Sequence, residues 1–175
     1  MEINTQQPAS PSAVGIRYGL IVGLISVIIS FGLYATGQEQ GPLRWLSSLV
    51  LIGGLVMAMR QFKQMNGGYM SFGQGLGIGT LVSAVTGVLS AIFVYVYMSF
   101  VDTGAIERMM DKARSDMEAR GGLSDEQMEQ GLAMTGKFMT APALTISVLI
   151  GSIIIGFIIS LVVSAILKHT KPEFE

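Results

Sequence analysis

Apolar residues dominate three long stretches of this chain, between Arg17 and Glu39, Lys63 and Asp102, and Lys137 and Lys168. Each runs without a charged residue, for about 21, 38 and 30 residues. A hydrocarbon core of about 30 Å takes about 20 apolar helical residues to cross. Only helices or closed barrels satisfy their own backbone there. The pattern therefore predicts an all-α integral membrane protein, a four-helix bundle with a long extramembrane helical hairpin between spans three and four.

The elements follow from where the apolar runs break. Residues 1–13, with Pro8 and Pro11, read as a disordered polar lead, and the first span as 14–35. A cleaved signal peptide would need a basic start, a shorter apolar run and a small-x-small site. Leu33-Tyr34-Ala35 is a poor site and the lead is almost uncharged, so an uncleaved anchor fits better. A Gly-rich polar turn, Thr36 to Pro42, leads to a second span at 43–59. Arg44 and Arg60 leave only about 15 residues between them, roughly 22 Å of helix. Both arginines can snorkel outward and Trp45 suits the interface, so a full crossing is favoured over a re-entrant helix. Arg60 to Ser71 reads as a short basic turn broken at Gly67-Gly68. Span three covers 72–101 and span four 142–167, with Pro142 as a first helical residue. Residues 169–175 form a C-terminal tail, and 14–168 the four-span domain.

The hairpin, residues 102–140, shows helical periodicity of a different kind. Ile106, Met109, Met110, Ala113 and Met117 fall on one helix face. Lys112–Asp116, Arg114–Glu118 and Asp116–Arg120 place opposite charges four apart on the other. Gly121-Gly122 ends that helix. Ser124 with Gln127 forms a capping box for the next, whose apolar stripe is Met128, Leu132, Thr135 and Met139.

Charge sets the orientation. With four spans, both termini and the 60–71 turn share one side, which carries Arg17, Arg60, Lys63, Lys168 and Lys171 close to span ends. The other side has Arg44 and five basic residues in the hairpin, outnumbered there by eight acids. Basic residues beside the membrane favour cytoplasmic termini in a bacterial inner membrane. Composition removes several function classes. A net charge of −1 gives no footprint for nucleic acid. The absence of Cys removes disulfides, thiol catalysis and Cys-based metal sites.

Candidate chemistry is sparse. The spans hold no Asp, Glu, Lys or His, and Arg17 sits in the first turn of span one, so the marks of a proton or ion pathway are missing. Gln74 lies at an entrance. His169, the only histidine, reads as part of a solvated basic tail. Six hairpin methionines tempt a copper(I) reading, but most lie on apolar faces where Met fills gaps. The Gly-rich segment 67–73 lacks the Lys and Ser/Thr of a phosphate loop. Neither a catalytic residue, a cofactor nor a metal site is expected, and the protein reads as non-enzymatic.

The sharpest motif is a small residue at every fourth position: Gly15, Gly19 and Gly23 in span one, Gly75, Gly79, Ser83 and Gly87 in span three, Gly156 and Ser160 in span four. Gly73 and Gly77 form a neighbouring stripe. This spacing lets another backbone pack closely. The stripes serve either packing between this chain's own helices or an interface with a second copy or another membrane protein. Leu81 and Val85 lie off the stripe and are expected to accept near-isosteric change to Ile, since lipid accepts either residue and a packed site tolerates such a swap.

Gly15-Ile16-Arg17-Tyr18-Gly19 opens the first span, and Phe62-Lys63 follows the second. Asn66-Gly67-Gly68-Tyr69-Met70-Ser71-Phe72-Gly73-Gln74-Gly75 enters the third. The charged hairpin contains Gly122-Leu123-Ser124-Asp125-Glu126-Gln127. Taken in this order, the chain resembles the bacterial membrane family known as domain of unknown function 4199. The resemblance covers nearly the whole chain, and the Asn-Gly-Gly-Tyr-Met-Ser-Phe-Gly segment is its most specific part. It implies four spans and no assigned activity, so it transfers no site residue. Two functions fit the residues: a structural or accessory protein of the lipid bilayer acting through helix packing, or a small transporter or channel for an uncharged or hydrophobic solute. The transporter would need Thr80, Ser83, Thr86, Ser90, Thr145 and Ser147 to line a continuous path.

Overall fold

A computed structural model describes residues 10–38, 41–122 and 124–170. Helix α1 (Pro11–Ala35) is followed by a 3-10 turn (Pro42–Arg44) that leads into α2 (Trp45–Met65). Helix α3 (Phe72–Val96) closes in a π turn (Tyr97–Val101). Helices α4 (Ala105–Arg120) and α5 (Asp125–Phe138) form the hairpin, and α6 (Ala141–Leu167) ends the described chain. Four helical stretches are long and apolar enough to span a membrane: Pro11–Ala35, Pro42–Met65, Phe72–Val101 and Ala141–Leu167. The fold is all-α, with one isolated β-bridge, between Met70 and His169, among the described residues.

Three boundaries differ from the sequence expectation. Ser10 accepts from the Ala13 amide at 3.4 Å and Pro11 takes the first turn, so α1 begins ahead of residue 14. Of the lead assigned to 1–13, residues 11–13 are therefore helical, while 1–9 lie outside the described residues. Helix α2 continues six residues past Met59, so Arg60 to Met65 is helix rather than turn. Arg, Gln, Lys and Met are good helix formers, and fully buried Phe62 anchors the extra turns. From Pro42 the second span has 24 residues, which removes the shortage of length between its two arginines. At its other end, the Arg44 guanidinium stands 5.3 Å from the centre of the Trp45 ring, an interfacial pairing. The tail assigned to 169–175 begins with His169, whose backbone forms the isolated bridge to Met70; residues 171–175 are not described.

The chain divides into two compact units, residues 1–90 with 150–175, and residues 91–149. In the first, Val22, Leu55, Met59, Phe62, Met70, Ile78 and Val82 form the core. Outside it stand large apolar residues, among them Ile28, Leu49, Ile154, Ile158 and Ile166. Apolar exposure on that scale is untenable in water and ordinary in lipid. In the second unit, Ile106, Met109, Met110, Ala113 and Met117 are the less exposed face of α4, and Met128, Leu132, Thr135 and Met139 that of α5. The Ser124–Gln127 capping box forms at 3.0 and 3.3 Å. Lys112–Asp116 and Arg114–Glu118 pair at 3.5 and 3.8 Å.

Candidate functional site

Glycine decides how closely the spans of the first unit approach. Along α3 and α6 the small residues meet in antiparallel register: Gly75 against Ser164, Gly79 against Ser160, Ser83 against Gly156. A Cβ built on Gly75 would lie 2.7 Å from Ser164 Oγ, and one on Gly79 would lie 2.6 Å from Ser160 Cβ. Neither space exists. The two inner pairs are reciprocal. Ser83 donates to the Gly79 carbonyl at 3.0 Å while standing over Gly156; Ser160 donates to the Gly156 carbonyl at 2.6 Å while standing over Gly79. Each serine satisfies its own helix and fills the notch of the other. Ser164, also fully buried, approaches Met59 Sδ at 3.8 Å.

Helix α1 packs on the same α3 in parallel register. Gly15, Gly19 and Gly23 receive Leu81, Val85 and Leu89, and Thr86 Oγ1 donates to the Gly19 carbonyl at 3.2 Å. A Cβ on Gly19 would sit 2.6 Å from Val85 Cβ. Leu81 and Val85 are therefore the ridge that fills the α1 notches, not lipid-facing positions. Gly54 of α2 likewise receives Val22 of α1.

A second assembly sits where α2, α3 and the end of α6 come together. Gly67 and Gly68 adopt φ of +66° and +89°, which turns the chain out of α2. Asn66 Nδ2 donates to the Tyr69 carbonyl at 2.9 Å and fixes that turn. Ser71 and Gln74 then form a reciprocal capping box for α3, at 2.9 and 3.2 Å. Met70 and His169 exchange both backbone hydrogen bonds, at 2.9 and 2.8 Å, and the His169 ring stacks on Tyr69 with centroids 5.4 Å apart. Lys63 Nζ donates to the Leu167 carbonyl at 3.2 Å, a cation on the negative end of α6. A cleft of about 260 Å³ opens beside this clasp, bounded by Asn66, Tyr69, Ser71, Gln74, His169 and Thr170.

Residues 17–169 match the family described as Protein of unknown function (DUF4199). The chain belongs to that family. Neither a curated protein nor a solved structure matches it. Every residue of the clasp from Lys63 to His169 falls within the matched stretch, and in this DUF4199 chain it ties α6 to the α2–α3 turn.

Of the small residues singled out in the sequence, Gly15, Gly19 and Gly23 meet α3, and Gly75, Gly79 and Ser83 meet Ser164, Ser160 and Gly156 of α6. Gly87 is buried on the same face of α3. Gly73 and Gly77, the neighbouring stripe, have open space where a Cβ would go. Of the hydroxyls named for a solute path, two are in helix seams and Ser90 is half-buried. Thr80, Thr145 and Ser147 donate to carbonyls of their own helices at 2.8, 2.7 and 2.8 Å, and Ser83 and Thr86 are buried in the seams. His169 is exposed, as a solvated tail residue would be, while its backbone pairs with Met70. Gln74 stands at the entrance of span three as the cap of α3, and the Ser-x-x-Gln spacing that flags Ser124–Gln127 also flags Ser71–Gln74. Nothing local could reveal the Met70–His169 pair.

In the hairpin unit, Arg108 binds Asp102 through two hydrogen bonds, Nη1 to Oδ1 at 3.2 Å and Nη2 to Oδ2. The guanidinium bond leads, with its charge and the Gly104 amide adding to it. Together they outweigh partial burial and hold the Asp102 carboxyl below its ordinary value near 3.8.

Proposed function

We propose that this protein is a non-enzymatic accessory component of a bacterial inner membrane, with both termini cytoplasmic, that works by holding a partner membrane protein against its helices. One observation carries the reading: the buried hydroxyls and the glycines they meet are engaged in closing the seams. Ser83, Thr86, Ser160 and Ser164 are buried against other helices, and Ser83, Thr86 and Ser160 donate to backbone carbonyls. That leaves the outer faces as the working surface. Helix α6 is the most apolar span and buries the smallest share of itself, presenting Ile154, Ile158 and Ile166 outward. A packed helix seam favours rigid assembly over alternating access, since close-packed interiors transmit strain rather than flex. The placement of the charged side chains supports the non-enzymatic part: they lie in the hairpin and at span ends, and those that share the hairpin groove, Arg114, Glu118, Asp125 and Glu129, bring neither a His nor a Cys with them.

The test is photo-crosslinking in native membranes from a diazirine amino acid placed at Ile154, Ile158 or Ile166. The proposal predicts one discrete protein adduct from the positions on one side of α6. Lipid adducts alone from every position would overturn it.

A further inference from the structure

The α4–α5 hairpin carries a groove of about 860 Å³ along its length. Met110, Met128 and Leu132 contribute its apolar lining, with Ala133 and Gly136 as small wall residues. The Met110 methyl lies 3.6 Å from where a Cβ of Gly136 would stand, and Met117 Sδ and Cε lie equally close to Gly131, ordinary contact distances that hold the methionines of α4 against α5. Among described residues of α4 and α5, only Ala105 is buried; the apolar stripes are half-covered. Two helices make one layer, and an amphipathic stripe reaches full burial against a further helix.

Charge says which helix. Glu118, Asp125 and Glu129 stand on the groove against a single cation, Arg114, and Arg114 is already paired with Glu118 at 3.8 Å. The hairpin as a whole has eight acidic and five basic residues. A second copy would bring like charge to the rim. We propose that the groove is a docking site for a basic amphipathic helix of a partner protein, its apolar face on the methionines and its lysines or arginines against the acidic rim. Methionine linings adapt to different apolar faces, which suits a helix-in-groove site. This rests on the accessory reading and names the chemistry of the partner.

The experiment uses the full-length protein in phosphatidylcholine nanodiscs, with empty nanodiscs as background. The probes are a fluorescent leucine–lysine helical peptide of about 18 residues and its leucine–glutamate counterpart of identical apolar pattern. Anisotropy should show the lysine peptide binding at least about tenfold more tightly than the glutamate peptide. Filling the groove with Gly136→Leu should weaken it about tenfold, and Glu129→Lys, an exposed change that leaves packing untouched, should cut the preference between peptides. Equal binding of the two peptides, or binding indifferent to Glu129→Lys, overturns the proposal. So does a dimer of the protein that Gly136→Leu dissociates, which would assign the groove to a second copy. Crosslinking from α6 is independent of the hairpin, so loss of the groove and loss of the accessory role are separate outcomes.

Discussion

At the scale of single residues, the distinction between two glycines one half-turn apart is the sharpest consequence of the packing. Gly79 faces Ser160 and the Met59 methyl, whereas Gly77 faces open space. Replacing Gly79 with Leu overpacks the seam and should destabilise the fold by about 1–3 kcal/mol. Gly77→Ala adds a methyl where nothing stands and removes a backbone entropy cost, so it should be neutral or stabilising by up to about 1 kcal/mol. Thermal unfolding in detergent separates them: a lower Tm for Gly79→Leu at unchanged oligomer size, and no loss for Gly77→Ala. Equal behaviour of the two would place the stripe on lipid. Spacing alone identified both stripes but could not rank them, because which face meets a neighbour depends on helices remote in sequence. Leu81 and Val85 show the same limit: an apolar residue facing lipid and one filling a glycine notch are identical in composition.

At the scale of elements, the spans and the hairpin stripes were legible because their periodicities are local, and the ends of α1 and α2 were not. Arg60 to Met65 is polar yet a good helix former, and buried Phe62 extends α2 beyond the charge that marked its end. The Met70–His169 clasp joins residues with no sequence signal between them. His169→Pro removes the amide that donates to the Met70 carbonyl and should lower stability by about 0.5–1.5 kcal/mol, while His169→Ala keeps both backbone bonds and should lose less. Differential scanning of the two variants checks the order. The start of α4 depends on pH through Asp102. Its carboxyl is held down in the fold by Arg108, so the contribution is present above the ordinary carboxylate range and is lost as pH falls through the lowered folded value. Amide protection over Ala105–Arg108 should fall as the pH drops below the ordinary carboxylate value near 3.8, and Asp102→Asn should remove that dependence.

At the scale of the whole molecule, a crossing by all four spans would put the turn before Pro42 and Glu129 on one side of the membrane and Gln64 on the other; Gln40, the labelling position in that turn, lies outside the described residues. Cysteines introduced at the three positions into this Cys-free chain should label accordingly in intact cells; Gln40 and Gln64 reacting from the same side would remove one span. The membrane class could be argued from charge-free length, and the fourth span from the snorkelling arginines and Trp45 that bound it, while the function could not, because the same seams suit a scaffold and a carrier. Ser83, Thr86 and Ser160 are bonded to carbonyls inside those seams. The most direct measurement is therefore glycerol permeation into proteoliposomes by stopped-flow light scattering, glycerol serving as a small uncharged solute. The account predicts a rate equal to that of protein-free vesicles of the same lipid. A protein-dependent rate that Gly79→Leu abolishes while the variant remains folded would contradict it and make the α3–α6 seam a pathway.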